Sequence, residues 1–348
     1  MKTLLWLGNP FFRADMERYG WRVVFRQPRD GEYFTWNNCL ELSGGPPDAL
    51  VAADTSRPPF VLGVERFPCL TLFYAVDTHI HSWMPLYGQA FDACLISLRD
   101  HIPFFAGQRL PDDRLWWSPP YAPNIPDEFS TAPKNWDCLF VGSVDPERTP
   151  LRRHFLDHLS GLIPALSVEH GHFARFYPRA RLVVNICEHG DLNFRVFESL
   201  GCGAALVTPA VGHGLTDLFT PGRHLLTFDA SFWKEERPPT AEQARSLGAQ
   251  AAVNAAPLIR SLLNDPDRCE ALARAGWDEV NRRHRARHRA ETLARRLERL
   301  SADLPRRRHA EADAIREQYL RLMYLLWGES LPDSPLRMAY LRAAQGNI

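Results

Sequence analysis

The 348-residue chain has no surplus of either charge: 41 Lys and Arg stand against 41 Asp and Glu. A balanced chain offers no global field to a polyanion, so any electrostatic recognition must be local. It also lacks paired cysteines. The seven it has, Cys39, Cys69, Cys94, Cys138, Cys187, Cys202 and Cys269, are dispersed and never in a CxxC spacing. That argues against a structural zinc or a dithiol redox motif, and for reduced, buried thiols in a cytoplasmic protein. No window approaches the roughly eighteen apolar residues of a membrane-spanning helix. The opening MKTLLWLGNPFFRAD breaks at Gly8, Asn9 and Pro10, too early for a secretory signal. A soluble protein is expected, with peripheral contact at a membrane surface left open. A dinucleotide fingerprint is missing as well. LWLGNPFF has a lone glycine where a nicotinamide or flavin site needs several, and Gly8 is expected to let the loop after the first strand approach a ligand.

What is present is an ordinary globular composition, 45% hydrophobic and 24% charged, in a chain long enough for two domains. Short apolar runs bounded by turn residues alternate with helical patterns, which argues for βαβ units around parallel sheets. Thr3 to Gly8, Trp21 to Gln27, Asp48 to Asp54, Cys69 to Asp77 and Ala93 to Arg99 read as strands of a first domain. From Leu115 to Asp137 the sequence is crowded with proline and lacks either period, the composition of a stiffened linker. The pattern then restarts with DCLFVGSV, the helix PLRRHFLDHLSG, and the strands PALSVEH, ARLVVNICE and HLLTFD. After Ala241 the chain reads as helical, and EADAIREQYLRLMYLLWGES is expected to pack back on the body. The fold class is α/β, two doubly wound domains with a cleft between them and a C-terminal helical extension. Ligands of open α/β sheets sit beyond the carboxyl ends of the strands.

The stretch GDLNFRVFESLGCGAALVTP carries the chemistry. Asn193 is a candidate N-cap for a helix starting at Phe194. Val196, Phe197 and Leu200 recur at core spacing, whereas Arg195 and Glu198 are neighbours on one face. A helix N-terminus favours a phosphate, and a glutamate one turn inside can accept two hydrogen bonds from a vicinal diol. Together they suit a nucleotide or nucleotide sugar. The alternative is an intrahelical Arg195–Glu198 ion pair.

The run NFRVFESLGCGAALVTP, preceded by RLVVNI, resembles the group 1 glycosyltransferases of the GT-B fold, in particular the C-terminal domain of the spore-maturation-protein type. GHGLTDLFTPGRHLLTFD and LLNDPDRCEALARAGWDEVNRRH resemble the downstream part of that domain. DCLFVGSVDPERTPLRRHFL resembles its phosphate-contacting turn, and FYAVDTHIHSW with FDACLISLRD its N-terminal partner. The resemblance implies two Rossmann-like domains: an acceptor-side domain at 1–120, a linker at 121–136, a nucleotide-sugar-binding domain at 137–300, and helices at 301–348 packing back. It implies transfer of a sugar from a nucleoside diphosphate donor, with no metal or other cofactor, to an acceptor that is a glycan, protein or small molecule. Glu198 matches the ribose-binding glutamate. Asn193 and Arg195 would shape the diphosphate and sugar pocket, with Gly142, Ser143 and Arg148 across the nucleotide. Retaining relatives carry a further glutamate where this chain has Gly190; Glu188, His189 and Asp191 are the nearby substitutes. The alternative function is a noncatalytic nucleotide-sugar-binding or scaffold protein.

Two other clusters compete. VDTHIHSW presents Asp77, His79 and His81 at a strand end, an array short of the ligands a metal needs. His79, with Asp77 beside it, reads instead as an acceptor-side catalytic group able to position or deprotonate a hydroxyl; a histidine bonded to its own loop is the structural alternative. NRRHRARHRAETLARRLERL is strongly basic but lacks the interleaved aromatics that stack on bases. It is expected to be a solvated helix paired with acids on its own body, not a nucleic-acid site.

Overall fold

Strands that are apolar on both faces must be covered on both faces, and here they assemble into two parallel sheets. The structure is a computed structural model that describes residues 1–29, 31–106, 110–126, 128–230, 240–300 and 306–346. The first sheet contains β1 (Lys2–Gly8), β2 (Trp21–Arg26), β3 (Ala49–Ala53), β4 (Leu70–Ala75), β5 (Ala93–Ile96) and β6 (Leu115–Trp117), in the order β2-β1-β3-β4-β5-β6. The second contains β7 (Trp136–Val141), β8 (Leu166–Glu169), β9 (Ala180–Val184), β10 (Ala205–Pro209) and β11 (Leu226–Phe228), in the order β11-β10-β9-β7-β8. All residues of β3, β4, β5 and β10 are buried. Among the described residues, the helices of eight residues or more are α1 (Trp36–Ser43), α2 (Pro150–Leu162), α3 (Phe194–Gly201), α4 (Ala241–Leu263), α5 (Pro266–Arg283), α6 (Ala286–Leu300), α7 (Ala312–Ser330) and α8 (Pro335–Ala344).

The chain divides into unit 1, Met1–Pro119 with Arg289–Ile348, and unit 2, Pro120–His288. This moves the expected boundaries. Leu115–Trp117, read as linker, is the sixth strand of the first sheet, paired with β5. The proline-rich residues after it belong to unit 2, where the Ala122 N–H donates to His284 O and the Ala286 N–H to Ala122 O, each at 2.9 Å. The second domain ends at 288 rather than 300, because α6 leaves unit 2 near its start and contributes most of its length to unit 1. The C-terminal helices do pack back, and on unit 1: Ile315, Tyr319 and Met323 of α7 join the core built by Leu5, Leu50 and Phe73.

Gly8 has a packing task at the end of β1. Its φ is +110°, and a Cβ there would lie 1.9 Å from Ala53 O. The missing side chain thus lets the end of β1 pass against the end of β3.

A buried ion pair fixes the returning segment. Arg308 and Asp92 are 1% and 2% exposed at 3.0 Å. Arg308 also donates to Phe67 O (2.9 Å), Cys69 O (3.0 Å) and Val64 O, while Asp92 accepts from the Thr71 N–H and hydroxyl. Every partner of this guanidinium is an acceptor in an apolar surround, so removing it strands a buried carboxylate. Arg308→Met is expected to destabilise unit 1 by about 3–5 kcal/mol in urea unfolding; a loss below about 1 kcal/mol would contradict the assigned role.

Candidate functional site

In unit 2 the site begins where β9 ends. Asn185, fully buried one residue past the strand, donates from Nδ2 to Thr208 Oγ1 (3.0 Å) and to Asn193 Oδ1 (3.2 Å). Asn193 returns a hydrogen bond from Nδ2 to Asn185 Oδ1 at 3.4 Å. This reciprocal amide pair ties the strand end to the start of α3. Asn193 does occupy the N-cap position with extended backbone (φ −89°, ψ 167°), but its side chain makes no bond to the first turn of the helix. It faces the strand instead.

Arg195 follows the same route. Its Nη1 donates to Ile186 O (3.1 Å) and Asn185 Oδ1 (3.4 Å), and its guanidinium lies 5.6 Å from the Phe140 ring centroid. The intrahelical ion pair with Glu198 does not form: among the described residues no hydrogen bond or ion pair reaches the Glu198 carboxylate. Glu198 is half-buried, and burial lifts its pKa to about 7, with only the nearby charge of Arg195 opposing. A carboxylate partly withdrawn from water without a donor is stabilised by gaining one.

A second guanidinium lies alongside. Arg152, in the first turn of α2, is buried and donates from Nη1 to Ser143 O at 2.7 Å, while its Nε is buried and takes no hydrogen bond among the described residues. It stands 5.9 Å from the same Phe140 ring. Burial, and then the charge of Arg195, push its pKa down. Neither guanidinium has a carboxylate within 4 Å among the described residues, so two cations share one partly dry environment with no direct ion pair, the charges of Glu188 and Asp191 offsetting that of Arg152 only in part. Gly142, at the end of β7, is the floor: a Cβ there would lie 3.2 Å from the Phe140 ring and 3.6 Å from Arg195 Nε.

The remaining expected residues fall as follows. Ser143 is exposed, its hydroxyl 3.3 Å from His170 Nε2. Arg148 is exposed in a turn whose backbone is capped by Asp145 Oδ1, which accepts from the N–H groups of Glu147 (2.8 Å) and Arg148 (2.9 Å). His189 is exposed and Asp191 half-buried in the loop between β9 and α3. Glu188, named as a substitute for the missing glutamate, is turned to the start of α2. Its two oxygens accept from the Leu151 and Arg152 N–H groups, both at 2.9 Å, so it caps α2 and neutralises that helix end.

Asp77 and His79 lie in unit 1, in the loop after β4. Buried Asp54 organises this loop, accepting from the N–H groups of Val76 (3.0 Å), Asp77 (2.7 Å) and Ser56 (2.7 Å). The Asp77 carboxylate accepts the Ser56 hydroxyl, and His79 is half-buried two residues on. Among the described residues no group of three or more His, Cys, Asp or Glu is arranged to hold a metal ion.

Asn185 and Arg152 were missed from the sequence. Asn185 left a signal, an amide set between the apolar pairs Val183–Val184 and Ile186–Cys187; Arg152 left none, being one of two adjacent arginines on an amphipathic helix. The basic run is likewise only partly a solvated helix. It breaks into α5 and α6, Arg282 and Arg283 pair with Glu279 as expected, but Arg285 is fully buried and Ala290, Leu293, Ala294 and Leu297 line a core face.

Residues 164–295 match the family model described as "Glycosyl transferase-like". No curated protein matches in sequence. The fold resembles that of sucrose-phosphate synthase from Thermosynechococcus elongatus, at TM-score 0.56 and 12% identity over 87% of this chain and 100% of that one. It also resembles Anabaena HepE, solved in complex with UDP-glucose, at TM-score 0.56 and 11% identity over 86% of this chain and 100% of that one. The pneumococcal O-GlcNAc transferase GtfA, solved with UDP and GlcNAc, is a weaker match at TM-score 0.49 and 8% identity, covering 73% of this chain and 57% of GtfA. The two-unit architecture is the GT-B fold. The matches do not single out the spore-maturation type.

A pH signature follows from the raised Glu198 pKa. The folded state holds its proton up to about 7, the unfolded state only to about 4.5. Its contribution is therefore fully present below about pH 4.5 and is lost as pH rises to about 7. Glu198→Gln is expected to gain stability relative to the parent across that window, read as the difference between two urea-unfolding series; a pH-independent difference would contradict a raised pKa.

Proposed function

We propose that this protein is a glycosyltransferase whose unit 2 holds a nucleoside diphosphate sugar. The observation that carries the reading is the juxtaposition in unit 2 of two guanidinium groups lacking a carboxylate partner with a half-buried carboxylate lacking a donor. A ribose joined to a diphosphate supplies both missing partners in one molecule. The Glu198 carboxylate accepts from the ribose hydroxyls, and Arg152 and Arg195 take the diphosphate, with Asn193, Gly142 and Ser143 bordering it and Arg148, His189 and Asp191 on the exposed rim. The family model over residues 164–295 and the HepE complex with UDP-glucose support the donor class.

Leaving-group charge is the electrostatic problem of the reaction. As the bond between the sugar and the diphosphate breaks, negative charge grows on the departing oxygen, and preorganised cations stabilise that state more than the ground state. We assign this work to Arg152 and Arg195, with no metal ion required. In unit 1 we place His79 on the acceptor side, where a neutral imidazole accepts the proton of the attacking hydroxyl. Asp77, already holding the Ser56 hydroxyl, fixes the loop that carries it.

A thermal-shift panel of UDP, GDP, TDP and their sugars tests the donor site. At least one member is expected to stabilise the protein, by about 2.7 kcal/mol at a hundred times its Kd. Glu198→Ala and Arg195→Met are each expected to weaken that ligand by about 1.5–3 kcal/mol, tenfold or more. Stabilisation by none of the panel, or undiminished stabilisation in Glu198→Ala, would overturn the site. Release of free nucleoside diphosphate from the stabilising donor separates an enzyme from a binding protein.

A further inference from the structure

The helix that carries Arg195 and Glu198 is gripped at both ends by the segments through which the chain enters and leaves unit 2. The entering segment begins at Pro120. The Tyr121 ring meets Phe194, the first residue of α3, edge to face at 5.3 Å between centroids. Ala122 lies at the other end of the helix, where a Cβ on Gly201 would sit 2.5 Å from the Ala122 Cβ. Farther on, Phe129 covers the turn after the helix, 3.2 Å from where a Gly203 Cβ would be. The leaving segment runs beside the entering one, its backbone bonded to Ala122 from both His284 and Ala286.

Arg285 closes this arrangement. It is fully buried and donates from Nη2 to Gly201 O (3.0 Å) and Pro126 O (2.7 Å), and from Nη1 to Pro123 O (2.8 Å). One guanidinium thus satisfies the last carbonyl of α3 and two carbonyls of a proline-rich segment that has few N–H groups of its own. A lysine has the charge but not the fork, and cannot reach three separated carbonyls at once. Arg287 reinforces the lacing through its N–H to Asn124 Oδ1 at 3.0 Å.

We propose that Arg285 is a positioning residue for the donor site, holding α3 against the two crossing segments so that the Glu198 carboxylate is presented to a ribose. It touches no substrate; it acts through the carbonyl of Gly201 and the segment that Tyr121 anchors at the opposite end of the helix. The ribose part of this inference rests on the donor reading given above, whereas the mechanical part does not.

The test compares Arg285→Lys and Tyr121→Leu with the parent, measuring Kd by calorimetry for two ligand pairs, UDP with 2′-deoxy-UDP and GDP with 2′-deoxy-GDP. The parent is expected to prefer the ribose form of its cognate base by about tenfold, the worth of a hydrogen bond to a charged acceptor. In each variant that still melts cooperatively, the preference is expected to fall to within about twofold, because the ribose form weakens while the deoxy form holds. A general loosening would weaken both forms alike and leave the ratio intact. That result, in a folded variant, would overturn the inference and leave the donor reading standing. Amide hydrogen exchange on the same variants reads the mechanics without any ligand. Faster exchange at 194–203 together with 120–126, at unchanged exchange in β7 and α2, supports the coupling; unchanged exchange at 194–203 overturns it. Should the parent show no ribose preference, the donor reading is what fails, and exchange alone decides the coupling. If Arg285→Lys does not fold, Tyr121→Leu carries both measurements.

Discussion

Charge without a counter-charge is the constraint on which the unit 2 site depends. Isolated ions are costly in a partly dry environment, and a protein ordinarily pairs them or lets them protonate. Here Glu198 is protonated up to about pH 7 and ionised above it, while Arg152 and Arg195 cannot discharge at any physiological pH. Each is held by neutral acceptors only: Ser143 O for one, Ile186 O and the Asn185 amide for the other. The unliganded site is thus electrostatically incomplete in both signs. In the proposed function, a molecule with hydroxyl donors at one end and a diphosphate at the other completes it. Glu188, whose oxygens are taken by the N–H groups of α2, and Asp191 act on Arg152 without forming an ion pair with its guanidinium.

The fold supplies this imbalance by topology. Parallel strands β7, β9 and β10 end on the same side, so the turn after β7, the Asn185 loop after β9 and Thr208 at the end of β10 converge. Phe140, one of the last residues of β7, places its ring between the approach routes of Arg152 and Arg195 and supports both cations. The amide pair Asn185–Asn193 then sets where α3 begins, and the crossing segments set where it ends. Site geometry and chain connectivity are therefore built from the same hydrogen bonds.

Much of the fold was legible in the sequence because strands buried on both faces write continuous apolar runs. β2 to β5, β8, β9 and β11 lie within the runs that predict them, β1 and β7 start one residue before theirs, and α3 starts at Phe194 as its capping signal indicates. Domain boundaries were not legible, for a physical reason. The amphipathic pattern of α6 is the same whichever core it faces, so nothing at 288 marks the passage from one unit to the other. Arg285 sits in an arginine-rich run that reads as a solvated helix and Arg308 at the end of a run of three arginines, and only tertiary contacts turn them into buried multi-carbonyl clamps. At the site, the spacing of Arg195 and Glu198 puts them on one face but cannot tell that a strand-end amide and carbonyl take the guanidinium away from the glutamate. What spacing conveys is adjacency; partner choice depends on what the neighbouring strand presents.

The measurement that addresses the incomplete site most directly is a crystal structure of the protein with a bound nucleotide sugar, collected above pH 7 where Glu198 is ionised. The account predicts both Glu198 carboxylate oxygens at about 2.6–3.0 Å from the two ribose hydroxyls, with the diphosphate within hydrogen-bond reach of Arg152 and Arg195. A carboxylate turned to solvent, or clasped by Arg195 while the ribose lies elsewhere, would contradict it.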